Sequence, residues 1–138
     1  MKKYLVLFLT AFVLNLVWEN LHSVLYVSYK GGEITEGILL HATTVDAFII
    51  LAVFLATAKL PNRFRFPLSA ITFLIIAIIT EWWALGTGRW VYAETMPIIP
   101  FIGTGLSPTI QLASTGIASF LFVEKIFNTK ETDPKEPR

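Results

Sequence analysis

The sequence predicts an all-α integral membrane protein, a four-helix bundle with both termini in the cytoplasm. The chain of 138 residues is 54% hydrophobic and has a mean hydropathy of +0.64, which is too apolar for an ordinary soluble domain of this length. Four windows approach the roughly 20 apolar residues that cross a bilayer. They cover residues 4–27, 37–57, 66–85 and 108–127, and we expect them to form a single domain, residues 1–127.

The first span opens like a signal peptide, with Lys2 and Lys3 ahead of an apolar run. That run continues past Glu19 to Tyr29, and no cleavage site of small residues follows it. We therefore expect this segment to be retained as the first helix.

The positive charges indicate the orientation of the spans. Of the eleven Lys and Arg residues, nine lie in the terminal segments or between spans two and three, and only Lys30 and Arg89 lie in the other loops. Basic residues favour the cytoplasmic side. The sequence thus predicts a multi-pass protein of the cytoplasmic membrane, with residues 30–36 and 86–107 outside. The charged, proline-containing tail, residues 128–138, is expected to be disordered.

The loop between spans three and four, residues 86–108, is long for a helical connection and contains aromatic residues and isoleucines. It is expected to be re-entrant or interfacial and to cover the outer end of the bundle. The aromatic side chains expected at headgroup level are Trp82, Trp83, Trp90 and Tyr92. Ser107 and Pro108 suit the N-cap and first position of span four.

Charge and cysteine content exclude several classes of function. A net charge of +1 gives no reason to expect nucleic acid as a partner. The absence of cysteine excludes disulfides, thiolate catalysis and zinc–thiolate sites. The expected partners are membrane lipids and a hydrophobic small-molecule substrate, and a chain of four helices is small enough for a homo-oligomer to form.

Ionisable residues interrupt three of the spans. Glu19, Asp46 and Glu81 each lie in a different span, and the two histidines, His22 and His41, lie nearby in sequence. A charged side chain within the hydrocarbon costs roughly 2.5 to 3.5 kcal/mol on insertion scales, so such residues usually face the interior and serve a function. The helical rise places all five within about 14 Å of the outer surface. They are expected to form one site.

Catalysis by proton transfer is the first hypothesis for this site. A carboxyl group removed from water holds its proton near neutral pH and can donate it, while an imidazole or second carboxylate returns it. Glu19 is the predicted acid, His22 its proton partner, and Asp46 and Glu81 set charge and orientation. Residues expected to contact the substrate are Asn15, Trp18, Tyr26, His41, Thr44, Trp82, Arg89, Trp90, Tyr92 and Gln111. No cofactor is expected, and the substrate is expected to be a lipid or an isoprenoid-like molecule.

Other interpretations remain open. The polar residues could be interhelical hydrogen-bonding groups, each worth under about 1 to 2 kcal/mol. A metal ion would use Glu19, His22 and His41, and haem would use the two histidines, although the chain lacks the repeated Glu-x-x-His pairs of di-iron bundles. Ion or proton conduction is disfavoured because the inner half of the spans is almost wholly apolar. A non-enzymatic protein that binds or transports a lipid, small molecule or metal ion is the main alternative to an enzyme.

Two resemblances bear on the fold. The segment EWWALGTGRWVYAETMPIIPFIGTGLSPTIQ, with NLVWENLHSVLY and TTVD before it, resembles small prokaryotic membrane proteins of four helices. That resemblance implies the fold but no activity. Glu81 followed by Gly88-Arg89-Trp90-Val91-Tyr92 is similar to a pattern in membrane-embedded lycopene cyclase domains and carotenoid hydratases. The chain departs from the cyclase pattern at the last helix, where Thr109, Ile110 and Gln111 follow Pro108 instead of a Pro-x-Glu-Glu motif.

Overall fold

The computed structural model describes residues 1–128, and all but the first residue of the predicted disordered tail lies outside that range. It contains four long helices and a short two-stranded sheet, whose strands lie in the loops after the first and third helices. The elements are α1 (Lys2–His22), a 3₁₀ turn (Ser23–Leu25), β1 (Tyr26–Tyr29), α2 (Glu36–Ala56), α3 (Asn62–Gly86), β2 (Trp90–Tyr92) and α4 (Leu106–Asn128). By length and composition, all four helices could cross a membrane. This confirms a helical bundle with four candidate spans.

Consecutive helices run in opposite directions, so that the strands that follow α1 and α3 meet at one end of the bundle. The sheet lies at one end of the bundle, called here the sheet end, and the opposite end, which carries most of the lysines and arginines, is called the basic end. Helix α1 packs against α2 and α4, and α3 packs against α4. Helices α2 and α3 hardly touch each other.

Close packing of α3 on α4 depends on a glycine. A Cβ atom at Gly116 would lie only 2.5 Å from Cε2 of Phe73, so no larger residue fits there unless the ring moves. The Phe73 ring in turn packs against Phe120, with ring centroids 5.8 Å apart, and Phe120 meets Phe54 of α2 edge-on at 4.9 Å. These rings fill the core on the basic side of the bundle.

A buried ion pair closes the core at the basic end. Arg65, in the first turns of α3, donates to Glu124 near the end of α4, and its guanidinium carbon lies 4.2 Å from the centroid of Phe54. Both charged side chains are largely buried. The pair joins α3 to α4 where the aromatic core ends.

The sheet corrects the predicted end of the first span. That span was expected to be helical to residue 27, but α1 ends at His22, and Tyr26 begins strand β1. Tyr26 pairs with Tyr92 and Tyr29 with Trp90 in an antiparallel register that contains a bulge. Aromatic residues favour strands, and a strand partner satisfies backbone groups that the helix no longer pairs. The long third loop therefore contains an ordered strand.

The rest of that loop folds back on itself before α4 begins. The amide of Ile99 donates to the carbonyl of Thr104 at 2.8 Å, and the amide of Leu106 donates to the carbonyl of Pro97 at 2.7 Å. Phe101, at the tip, has a φ of 69° and is fully exposed. Helix α4 starts at Leu106, so Ser107 lies inside its first turn and not at the predicted N-cap.

Candidate functional site

A cavity of about 350 Å³ lies at the sheet end, between α2 and α3. Helices α1 and α4 form its back wall, and residues of β1 and β2 cover it. Aliphatic side chains from α2, α3 and α4 make up much of the lining: Leu39, Val45, Ile49, Ile76 and Leu112. The three intramembrane acids of the sequence analysis, Glu19, Asp46 and Glu81, all line it as well.

Gln111 connects two of these acids. Its side-chain Nε2 lies 2.8 Å from Oε1 of Glu19, 3.1 Å from Oδ2 of Asp46 and 3.1 Å from Oδ1 of Asn15. Thr115, one turn further along α4, donates to the same Asn15 oxygen at 3.1 Å. The amide of Gln111 thus brings polar groups of α1, α2 and α4 to one point in the bundle.

The side-chain nitrogen of Gln111 carries fewer protons than the number of acceptor oxygens around it. A primary amide carries two N–H donors, and three acceptor oxygens lie within hydrogen-bonding distance of it. Thr115 donates a proton to one of the three oxygens, that of Asn15. The two N–H groups of Gln111 are then sufficient for Glu19 and Asp46.

A second chain of contacts runs from Glu19 to the start of α4. Nε2 of His22 lies 3.3 Å from Oε2 of Glu19, and Nδ1 of His22 lies 2.9 Å from the hydroxyl oxygen of Ser107. The indole N–H of Trp18 donates to that same hydroxyl at 3.2 Å. Because the indole nitrogen can only donate, Ser107 has its own proton free to direct at His22. Glu19, His22 and Ser107 therefore form a continuous line of proton-exchanging groups.

Glu81 has a separate partner. The hydroxyl of Tyr92 on β2 donates to Oε2 of Glu81, and the amide of Gly105 donates to the same hydroxyl at 2.9 Å. Burial, together with the hydrogen bond to Glu81, raises the pKa of Tyr92 above its ordinary value of 10. Burial likewise raises the pKa of Tyr26, which pairs with Tyr92 in the sheet. Both phenols hold their protons, and Tyr92 donates its proton to Glu81.

Aromatic rings and one guanidinium cover the cavity at the sheet end. The ring centroids of Tyr26 and Trp90 are 5.2 Å apart, and those of Tyr29 and Trp90 are 4.6 Å apart. The guanidinium carbon of Arg89 lies 4.3 Å from the centroid of Trp83, and Nη1 of Arg89 donates to the Tyr29 hydroxyl at 3.4 Å. The strand pairing holds these groups in place over the acids.

Most of the residues that the sequence analysis selected meet at this cavity. Nine of the fourteen line it: Glu19, His22, Tyr26, His41, Asp46, Glu81, Arg89, Trp90 and Gln111. Three more contact residues of the site from behind: Asn15 through Gln111, Trp18 through Ser107, and Tyr92 through Glu81.

Two predicted contacts lie elsewhere. The hydroxyl of Thr44 donates to the carbonyl of Leu40 in its own helix, and the indole of Trp82 donates to the carbonyl of Ile102. Neither side chain lines the cavity, because each lies on a different flank of its helix from the acid near it in sequence. The prediction that they contact a substrate there is not supported by their positions.

Sequence reasoning missed other residues of the site. Ser107 was assigned to helix capping, yet it contacts His22. Tyr29 and Ile34 were not selected, yet both line the cavity. Tyr29 and Ile34 could have been found if the end of α1 had been predicted at His22, because the segment after that residue lies over the cavity.

A metal site, one of the alternatives to an enzyme site, would need at least three ligand side chains close together. Within residues 1–128, no three or more His, Asp or Glu side chains are arranged to hold a metal ion. Glu19 and His22 are neighbours, but they do not form such a group with His41.

Comparison of the chain with protein-family models, curated proteins and solved structures finds no match.

Proposed function

We propose that this protein is a multi-pass enzyme of the cytoplasmic membrane that transfers protons to and from a lipid or isoprenoid-like substrate. The reaction would be an isomerisation, a cyclisation or a hydration, and it would need no cofactor. One observation carries the proposal: Glu19 and Asp46 converge on Gln111 in a cavity whose remaining walls are largely aliphatic and aromatic. An acid and a base beside an apolar space are suited to proton transfer on a hydrocarbon.

The orientation follows from charge. Residues Lys2, Lys3, Lys59, Arg63 and Lys125 all belong to the basic end. Cytoplasmic segments carry the excess of Lys and Arg, so the basic end and both termini face the cytoplasm. The cavity then lies in the outer half of the membrane.

Glu19 would act as the acid. With Oε1 near Gln111 and Oε2 near His22, its carboxyl group is held in one orientation. It would donate its proton to one carbon of a substrate double bond, which leaves a positive charge on the other carbon. His22 would then return a proton to Glu19 and regain one from solvent through Ser107. Asp46 would release to solvent the proton that it takes from the substrate, so that no net proton is consumed.

The remaining groups would stabilise and then quench the cation. Asp46 and Glu81 supply negative charge, and the faces of Trp83 and Trp90 attract a cation. In an isomerisation or cyclisation, Asp46 would remove a proton from the carbon next to the cation. In a hydration, water would add to the cation and lose a proton to Asp46.

A binding or transport protein for a cationic amphiphile is the second candidate. The cavity lining contains three acids and one guanidinium, that of Arg89, so it has an excess of negative charge when the acids are ionised. The carboxylates of Glu19 and Asp46 have further lone pairs that can accept hydrogen bonds from an amine. Such a protein would hold its ligand without changing it.

Transfer of solvent deuterium to carbon distinguishes the two candidates. The purified protein in liposomes would be incubated in D₂O with farnesol, geranylgeraniol, squalene and lycopene. The deuterium content of the recovered lipids would then be measured by mass spectrometry. We expect one class of isoprenoid to gain carbon-bound deuterium with the wild type and with Glu94→Gln, an exposed loop variant, but not with Glu19→Gln. If none gains deuterium above the Glu19→Gln level, the enzyme proposal is wrong.

A further inference from the structure

The bundle is open along one side. Helix α2 rests on α1 and α3 rests on α4, but α2 and α3 hardly touch each other along their length. The cavity lies in this gap at the sheet end, with α2 forming one wall and α3 the other. A gap between two membrane-spanning helices faces lipid, not water.

Exposed side chains mark the opening. Val45 of α2 and Trp83 of α3 line the cavity, yet Val45 is 43% exposed and Trp83 is 53% exposed. Thr80, between Trp83 and Ile76 along α3, is likewise both exposed and part of the lining. Side chains that are at once lining and exposed form the rim of a mouth, so the mouth lies between α2 and α3.

The way in from water is covered. The strands β1 and β2 lie across the sheet end, and Trp90 packs against Tyr26 and Tyr29 there. Arg89 joins this layer to α3 through the face of Trp83. A ligand from solution would have to separate paired strands, whereas a ligand in the bilayer would only have to pass the rim.

The cavity is also small for a whole lipid. Its volume of about 350 Å³ is at the low end of the range for small-molecule sites. A long isoprenoid or acyl chain therefore fits only in part, and the rest needs a path out. The aliphatic residues Ile49 and Ile76 flank the gap and provide an apolar path towards the bilayer.

We propose that the site takes a single-chain amphiphile sideways from the outer leaflet through the gap between α2 and α3. Its polar or unsaturated end lies at Gln111, and its chain passes between Ile49 and Ile76 into the surrounding lipid. The identity of the ligand as a substrate rests on the proposed function. The lateral route rests on the position of the gap, the rim and the aromatic cover, and the choice of the outer leaflet rests on the orientation proposed from the charges.

Photolabelling from within the bilayer tests this route. The purified protein would be placed in liposomes that contain a single-chain fatty alcohol with a diazirine on its hydrocarbon chain, irradiated, and digested for mass spectrometry. We expect labels on the cavity residues Asp46, Ile49 and Ile76. A water-soluble diazirine should label Glu94 in the exposed loop and not these three positions.

A bulky residue at the rim should block the route, and the same substitution outside the rim provides the control. Val45→Trp should reduce labelling of Ile76 severalfold, while Phe48→Trp, an exposed position of α2 outside the cavity lining, should leave it unchanged. Labelling of Ile75, on the exposed side of α3, reports that each variant is folded and inserted.

Two results would overturn the lateral route. One is labelling of the cavity residues by the water-soluble reagent alone, and the other is undiminished labelling in Val45→Trp. Because photolabelling needs no turnover, these results are independent of the deuterium experiment. Labelling with no deuterium transfer would retain the route and reject the enzyme.

Discussion

The side-chain nitrogen of Gln111 lies 2.8 Å from a carboxylate oxygen of Glu19, which joins α4 to α1 inside the bundle. The same nitrogen reaches Asp46 on α2. A neutral amide thus holds two acids near each other without neutralising either. A lysine or arginine at position 111 would instead place a positive charge between the two acids.

Gln111→Leu is expected to destabilise the bundle by about 1–3 kcal/mol, the cost of leaving buried acceptors without a donor. Unfolding of the purified protein in detergent measures the change. Ser114→Ala, at an exposed position of the same helix, should stay within about 0.5 kcal/mol of the wild type. Equal stability of the two variants would mean that Gln111 does not hold the acids together.

Disruption of the buried ion pair between Arg65 and Glu124 is expected to cost more stability than the loss of Gln111. Glu124→Gln removes the charge that compensates a buried guanidinium, and such changes cost about 3–5 kcal/mol. The double variant Arg65→Met with Glu124→Leu should recover most of that loss, because neither charge then remains. Arg63→Met, at an exposed neighbour, is the control in the same unfolding assay. Additive losses in the double variant would contradict this account.

Gly116→Ala is expected to push α3 away from α4. The added methyl group would lie 2.5 Å from a ring carbon of Phe73, and overpacking of this kind costs about 1–3 kcal/mol. Gly86→Ala is the matched control, since nothing lies within 4 Å of the corresponding Cβ position. Thermal unfolding of both variants gives the comparison, and a Gly116→Ala protein as stable as Gly86→Ala would show that the contact is not tight.

The two sheet tyrosines predict a loss of stability at alkaline pH. Burial raises the pKa of Tyr26 and of Tyr92 above 10, so the folded state keeps protons that the unfolded state releases. Stability contributed by these phenols is complete below pH 10 and declines as the pH rises above it. The double variant Tyr26→Phe with Tyr92→Phe should show a shallower decline when unfolding is measured against pH. A parallel decline would mean that other groups cause it.

Helical spans and buried acids could be read from the sequence because both depend on local composition. Windows of about 20 apolar residues predict helices of the right length, and the i, i+4, i+7 spacing of Asn15, Glu19 and His22 placed them on one face of α1. Asp46 and Glu81 were expected at a similar depth, and both line the same cavity.

Features that depend on pairing between distant segments were not predictable in the same way. Tyr26 continues the helical spacing of α1, but its pairing with Tyr92 places it in a strand. Ser107 contacts His22 only because α4 begins beside the end of α1. Thr44 was assigned to the site from its depth and from the helix face that it shares with His41, but only His41 lines the cavity. Depth along a helix follows from sequence position, whereas the flank that meets a neighbour depends on how the helices pack.

The most direct test of the proposed proton transfer compares the three acids by transfer of solvent deuterium to isoprenoid carbon. Wild type and Glu94→Gln are expected to transfer deuterium, whereas Glu19→Gln, Asp46→Asn and Glu81→Gln are each expected to lose most of it while remaining folded. Transfer that is absent from the wild type, or that survives in all three acid variants, would contradict the account.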